Sequence, residues 1–407
     1  MQHSHKSMKI GLITHLFPSQ RDPHRGKFMY DQYRAMRSIP GAKVRLLVPT
    51  PRAIPGTERW KLNNAPLHQV SITDERVIYT SLPKRKRPAF IQRQLSSALV
   101  QKLQLESPDL IHIHWLYPDG LAIPEIKKLN IPVVLTIHGS DWYKSLNYPE
   151  LMPLLEESLK AVDFIYCSGP QLKEDVLERY PYLRDKTDII YNFIDTDYYT
   201  VPTAYETFRA LEEIEWKEQQ THALCVANIR EEKGIDILID AVEQAVNNPE
   251  FQAVDAGQPL LVHIIGIQEE GPYLEHITNA LLERPDLPIV LHDPVAPEEL
   301  KKYYQAADFF LLPSRSEGFN VSLLEACSSG LPIVATKVGG NHLVVRSHHT
   351  GKLVEANDAD AFANALISVR SSLEKFNPKT IRKRIVEEFD LSVLSNRLSE
   401  QYRKMVK

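Results

Sequence analysis

Cysteine is nearly absent from this chain: Cys167, Cys225 and Cys327 are the 3 among 407 residues, and no two form a CxxC pair. So few thiols cannot staple a chain of this length, so apolar cores must hold the fold, and a reducing compartment fits best. Long apolar runs are missing as well. The cleanest, 131–137 and 259–267 with His263 inside it, fall well short of the roughly 18 residues a membrane-spanning helix needs. The opening MQHSHKSMK has no apolar stretch behind it and does not read as a secretory signal; Met8 is a candidate start. Neither GxxxxGK[ST] nor GxSxG occurs, which excludes a P-loop and a hydrolase nucleophile elbow.

The composition that is present, 43% hydrophobic and 25% charged, is that of a globular protein and not of a disordered or fibrous chain. Its length suggests two or three domains. The net charge of -4 conceals an asymmetry: residues 1–100 hold 18 Lys and Arg against 5 Asp and Glu, and residues 191–407 hold 21 against 33. A basic first quarter attracts anions such as phosphates, acidic headgroups or nucleic acid.

Short apolar runs rich in β-branched and aromatic residues lie at 10–14, 44–48, 110–114, 133–137, 164–167 and 189–191. A second set lies at 223–226, 260–265, 289–291, 309–312 and 333–335. They read as strands covered on both faces. Helical stretches at 28–38, 93–105, 149–161, 235–246 and 297–307 alternate with them. The pattern predicts two parallel-sheet α/β domains, with a cleft between the C-terminal ends of their strands. The boundary is placed in the polar, Glu-rich stretch 200–220, which gives domains of 1–200 and 201–385. An amphipathic closing helix, within 386–407, has Leu394, Leu398 and Tyr402 on one face and is expected to pack back on the first domain.

The most informative segment is LLPSRSEGFNVSLLEACSSGLPIVAT, 311–336. A strand ends at Pro313, and a loop carries Glu317, Gly318 and Phe319. A helix then starts with Asn320 as N-cap and stops near Gly330 and Pro332. Its N-terminus suits an anion. Glu317 sits at the loop tip and Glu325 about a turn deeper, facing the same cleft.

The spacing Glu317–x7–Glu325 within EGFNVSLLEA, followed by SSGLPIVATKVGG, resembles the EX7E motif of retaining glycosyltransferases of family four, the group 1 transferases with the GT-B fold. Further segments agree in order. VANIREEKG, 226–234, resembles the family's phosphate-contacting loop. TIHGSDW, 136–142, is similar to its first-domain active-site segment, and FPSQRDPHRGKF, 17–28, to its N-terminal loop. IIYNFIDTDYY, 189–199, resembles the segment that leads into the linker. Gly266–Pro272 is similar to a glycine turn near the nucleotide, and HDPVAPEEL, 292–300, resembles the stretch whose backbone reads the base.

The resemblance implies a two-domain GT-B enzyme with two Rossmann-like sheets facing an interdomain cleft. It would move a hexosyl unit from a nucleotide diphosphate sugar, UDP- or GDP-linked, to an acceptor hydroxyl with retained configuration. Synthesis of cell-surface polysaccharide or glycolipid is the expected setting. The implied catalytic residues are His138, lining the reaction centre, and Glu317, bonding the donor sugar. Glu325 would hold the ribose, and Lys233 the pyrophosphate. Gly26, Gly266, Val295, Gly318, Phe319 and Asn320 complete the donor-side set. Asn228 stands where the family has an Arg, so either Arg230 supplies that charge from a shifted position or the role is unfilled. Gly340-Asn341-His342 stands where the family has Pro-Glu.

No cofactor or metal is implied. Asp195-Thr196-Asp197 imitates a DxD metal site but falls at the domain junction, and His112 and His114 lack a third ligand. No nucleic-acid partner is implied. The basic first domain, with Lys84-Arg85-Lys86-Arg87 as the leading patch, suggests a lipid-linked or anionic acceptor and peripheral contact with the inner face of the membrane by an otherwise cytoplasmic enzyme. The alternative is a catalytically weak nucleotide-sugar-binding subunit of the same fold, motivated by the two departures from the motif.

Overall fold

The computed structural model describes residues 7–19, 26–53, 74–82, 87–255 and 257–406. Most of the basic patch, 84–86, and the middle of the N-terminal loop, 20–25, lie outside the described residues. The chain divides into two compact units, 1–192 with 391–407, and 193–390.

In the first unit, strands β1 (Met8–Ile13), β2 (Ala42–Ala53), β3 (Glu75–Ser81), β4 (Leu110–His114), β5 (Val133–Ile137), β6 (Phe164–Cys167) and β7 (Thr187–Ile189) form a parallel sheet. Its order is β3-β2-β1-β4-β5-β6-β7. Every residue of β4 and β5 is buried, His112, His114 and Thr136 among them, as in a sheet covered on both sides. In the second unit, β8 (Thr221–Val226), β9 (Leu260–Ile265), β10 (Ile289–His292), β11 (Phe309–Leu312), β12 (Ile333–Thr336) and β13 (Gly351–Val354) pair in the order β10-β9-β8-β11-β12-β13, again parallel. Burial pushes the thiols of Cys167 and Cys225 up to about 12 and that of Cys327 higher still, so all three stay protonated and serve as core.

The passage between units falls at Asn192–Phe193, upstream of the boundary expected at 200. Phe193 and Ile194 are already buried in the second unit: the Ile194 N–H donates to Phe389 O at 3.0 Å, and Thr196 Oγ1 donates to Asp390 at 2.6 Å. The polar stretch after it is helix Ala204–Glu213, opened by a capping box of Thr203 and Glu206. Trp216, just beyond, stacks on His263 and His222, and these join His292 in a chain of ring contacts, His222 Nδ1 to His263 Nε2 at 3.0 Å and His263 Nδ1 to His292 Nε2 at 2.9 Å.

Helix Leu391–Met405 returns to the first unit and packs on helix Lys27–Arg37. Tyr402 is wholly buried, and its hydroxyl lies 2.5 Å from His112 Nδ1, while His112 Nε2 meets Thr136 Oγ1 at 2.7 Å. Two ring nitrogens on a central strand are thereby satisfied, one of them from the chain's C-terminus. Tyr402→Phe leaves His112 Nδ1 buried without a partner. We expect it to cost about 1–3 kcal/mol in the stability of the first unit, read as a lower urea midpoint at unchanged slope. An unshifted midpoint would show that the helix is held by its apolar face alone.

Candidate active site

Strand order reverses between β8 and β11, so the loops after these two strands border the crevice where open α/β sheets bind ligands. After β8 the chain keeps pairing beyond the sheet: Ala227 N–H donates to Ile265 O at 3.0 Å and Ile229 N–H to Ile267 O at 2.9 Å. Gly266 permits this approach, because a Cβ there would lie 2.0 Å from Ala227 O. Asn228 Oδ1 accepts the Ile267 N–H at 3.2 Å, so this side chain fastens the loop. Arg230 is paired with Glu269 and stands 3.9 Å from Glu232.

Lys233 closes a single 3-10 turn, Glu231–Lys233. Gly234 follows at φ +64, and a Cβ on it would lie 2.3 Å from Pro313 O, so only glycine lets the two loops meet here. Lys233 Nζ donates to both oxygens of Glu317, at 2.7 and 2.8 Å. Glu317 Oε1 also accepts from Ser314 Oγ at 2.6 Å and Asn320 Nδ2 at 2.8 Å. The carboxylate is only 7% exposed and the lysine 21%. Arg315 braces the same loops: its main-chain N–H donates to Glu232 O, and its guanidinium reaches Asp236 at 2.8 and 2.5 Å and Asn357 at 2.7 Å.

Asn320 caps helix Val321–Ser328, its Oδ1 accepting the Leu323 N–H at 3.0 Å. Gly318 borders open space, and its carbonyl accepts the Gly340 N–H at 2.9 Å. The Phe319 ring fills the place a Cβ on Gly340 would take. Glu325 is buried one turn into the helix and accepts from Tyr304 OH at 2.8 Å. The structure thus joins Lys233, Glu317 and Asn320 in one cluster. Arg230 and Glu325 are held by other partners, and Val295 stands half-buried in the segment after β10.

In the first unit the reversal falls between β1 and β4. Gly26, at φ +80, opens helix Lys27–Arg37 with its carbonyl accepting from Met29 and Tyr30, and a Cβ would press on the Leu16 backbone at 3.0 Å. His138 follows β5. Its Nε2 meets His114 Nδ1 at 3.0 Å, and its ring packs against Trp115 and Phe28. Asp141 Oδ1 accepts the His138 N–H at 3.0 Å and its Oδ2 the Leu116 N–H at 2.5 Å, which ties the loops after β4 and β5 together. His112 and His114 stack on one face of β4.

Three residues of this corner were not singled out in the sequence: His15, Trp115 and Asp119. Asp119 is wholly buried and accepts both the main-chain N–H and the ring Nδ1 of His15, at 2.7 and 2.9 Å. The signal for the first two was their place directly after the apolar runs at 10–14 and 110–114. Nothing local marked Asp119, Ser314 or Glu269.

Burial holds His138 and His112 down to about 3, with the neighbouring His15 and His138 charges assisting in turn, and His114 well below its ordinary value. All three rings are therefore neutral near neutrality. Burial raises Asp141 to about 6. The unfolded chain takes up protons on the histidines below about 6.5, while the folded unit does not until about 3, so acid favours unfolding across that window. Asp141 acts in the opposite sense between its unfolded value of 3.8 and about 6, one group against three. We expect the melting temperature to fall as pH drops from 7 to 4, and His138→Gln to flatten the slope. A slope unaltered by that substitution would mean that His138 takes up its proton at an ordinary pH.

Residues 207–381 match the family model for group 1 glycosyl transferases, and residues 26–198 match that for glycosyltransferase family 4. TuaC of Bacillus subtilis, a glycosyltransferase named for teichuronic acid biosynthesis, is 24% identical across 98% of this chain and 99% of its own. An uncharacterised glycosyltransferase of Methanocaldococcus jannaschii is 27% identical across 76% of this chain and 78% of its own. Among solved structures, sucrose-phosphate synthase of Thermosynechococcus elongatus superposes with a TM-score of 0.75 at 20% identity, covering 98% of both chains. Anabaena HepE, solved with UDP-glucose, gives 0.70 at 16% identity over 98% of this chain and 100% of its own. With two parallel α/β units, the motif-bearing loops at the reversal of the second sheet and family matches along both halves, the chain belongs to the group 1, family 4 glycosyltransferases of the GT-B fold.

Proposed function

We propose that the protein transfers a hexosyl unit from a nucleotide diphosphate sugar to an acceptor hydroxyl with retained anomeric configuration. The observation that carries this reading is the partly buried Lys233–Glu317 pair at the β8/β11 reversal, a cation fixed where a diphosphate would meet the sheet. In transfer, the acceptor oxygen bonds to the anomeric carbon as the bond from that carbon to the diphosphate breaks. The electron pair and the hydroxyl proton leave with the diphosphate. Negative charge develops on that group, and Lys233 is the residue assigned to stabilise it. Ser314 and Asn320 hold Glu317 in place by neutral hydrogen bonds, so the carboxylate stays positioned toward the sugar when the lysine shifts toward phosphate. Glu325 is assigned to the ribose, and Gly318, with open space beside it, to close backbone approach. Arg230 is the candidate for the missing arginine; it would have to leave Glu269 to act.

HepE, solved with UDP-glucose, supports a nucleotide-sugar donor, and TuaC, named for teichuronic acid biosynthesis, supports a polysaccharide or glycolipid setting. The basic first hundred residues support a lipid-linked or anionic acceptor reached at the cytoplasmic face of a membrane. Among the described residues no helix is long and apolar enough to cross a membrane.

A panel of nucleotide sugars scored by thermal shift tests the donor assignment. The matching donor at about 100 times its dissociation constant should add about 2.7 kcal/mol of stability. Proton NMR of the product should then show the donor's own anomeric configuration. No shift with any UDP- or GDP-sugar would remove the donor assignment, and an inverted product would remove retention.

A further inference from the structure

We propose that Arg315 is a positioning residue for the donor: it holds the turn that carries Lys233, so that the lysine stays placed for a diphosphate once it lets go of Glu317. The inference rests on the transferase reading above, which assigns Lys233 to the diphosphate.

The turn Glu231–Lys233 is a single 3-10 turn ahead of helix Ile235–Val246. It is closed by Lys233 N–H donating to Arg230 O at 2.9 Å and Gly234 N–H donating to Glu231 O at 3.2 Å. A turn this short has poor hydrogen-bond geometry and little stability of its own. The loop after β11 supplies the rest, three consecutive residues meeting three. Arg315 N–H and Ser316 N–H both donate to Glu232 O, at 2.8 and 3.3 Å. Arg315 Nη1 donates to Glu231 O at 2.8 Å, and Glu317 accepts from Lys233 Nζ at 2.7 and 2.8 Å. The last contact is the one that the lysine gives up on turning to a phosphate. The Arg315 contacts do not involve the ammonium and persist.

The far side of the guanidinium is fixed as well. Nη1 and Nη2 grip the two oxygens of Asp236, in the first turn of helix Ile235–Val246, at 2.8 and 2.5 Å. Nε donates to Asn357 Oδ1 at 2.7 Å, in the loop after β13. Tyr273 OH donates to Asp236 Oδ1 at 2.6 Å, which steadies the carboxylate in turn. The Arg315 and Asp236 side chains are 24% and 21% exposed, so water competes less for the fork than it does on an open surface. These contacts engage all three guanidinium nitrogens. An arginine so committed is a brace between three segments and not itself a phosphate ligand.

The geometry requires arginine in particular. A planar fork spans Asp236 bidentately and still reaches the Glu231 carbonyl, whereas a lysine ammonium has the same charge and no fork. Charge and shape are thereby separable. A positive charge beside the loop attracts a diphosphate whatever its form, but only the fork holds the turn. A displacement of about 1 Å is enough to remove much of what a positioned group contributes.

The test is calorimetric titration of UDP, GDP, uridine and guanosine into the full chain as wild type, Arg315→Lys and Arg315→Ala. Lys233→Ala is titrated alone and combined with Arg315→Lys. Arg315→Lys should weaken diphosphate binding roughly two- to tenfold, the net worth of one hydrogen bond, and leave nucleoside binding unchanged. Arg315→Ala should lose at least as much. In the Lys233→Ala background Arg315→Lys should cost nothing further, because the brace acts through the lysine. Circular dichroism reports the folded fraction of each variant, and affinities are referred to it. If Arg315→Ala does not fold, Arg315→Lys, which keeps the charge, carries the test alone. Wild-type diphosphate affinity in Arg315→Lys, an equal loss for the nucleosides, or an undiminished loss in the Lys233→Ala background overturns the assignment. Failure of both diphosphates to bind the wild type removes the transferase reading and this inference with it. Diphosphate binding by the wild type without an Arg315 effect removes this inference alone.

Discussion

A single reversal of strand order in each sheet is the constraint on which the chemistry of this protein depends. At β1/β4 and at β8/β11, successive connections leave toward opposite faces, so the loops beside the reversal have no helix crossing over them. Polar groups buried at such a point are reachable by a ligand in a way that groups over the rest of the sheet are not. Lys233 and Glu317 occupy this place in the second unit, and His15 and Trp115 in the first. The same topology leaves two very different fillings: a charged pair in one unit, and a set of aromatic rings with two buried carboxylates, Asp119 and Asp141, in the other.

The charged pair has its hydrogen-bonding capacity met by neighbouring side chains. Burying two ions is costly unless their remaining hydrogen-bonding capacity is met. Here Glu317 draws three donors besides solvent, and only one of them, Lys233, is cationic. Glycine supports the geometry from beneath, since Gly234 and Gly266 allow backbone approaches that no side chain would tolerate. In the first unit, burial keeps His112, His114 and His138 neutral, so they add no charge to that corner of the sheet.

The central strands were legible in the sequence because each is a short run dominated by apolar residues, and so was Asn320, whose capping role follows from its place before a helix. Two of the edge strands, β3 and β13, were not. Glu75–Ser81 and Gly351–Val354 alternate or are half-exposed, and a strand of that kind carries little apolar signal. Helix Ala204–Glu213 was hidden by its own solvated glutamates, although its capping box was readable. Lys233 and Glu317 were identified as residues, but their contact was not, because 84 positions separate them and only the β8/β11 pairing closes that distance. Asp119 was beyond local reading: its partner, His15, lies 104 positions away.

Lys233 is the proposed anchor of a diphosphate. The most direct measurement is calorimetric titration of UDP against uridine, and of GDP against guanosine, into the wild-type chain and Lys233→Ala. The wild type should prefer one diphosphate strongly over its nucleoside. The substitution should remove about 1.5–3 kcal/mol from diphosphate binding and leave nucleoside binding unchanged. An equal loss for nucleoside and diphosphate, or no loss for either, would contradict the assignment of Lys233 and with it the placing of the donor at the β8/β11 reversal.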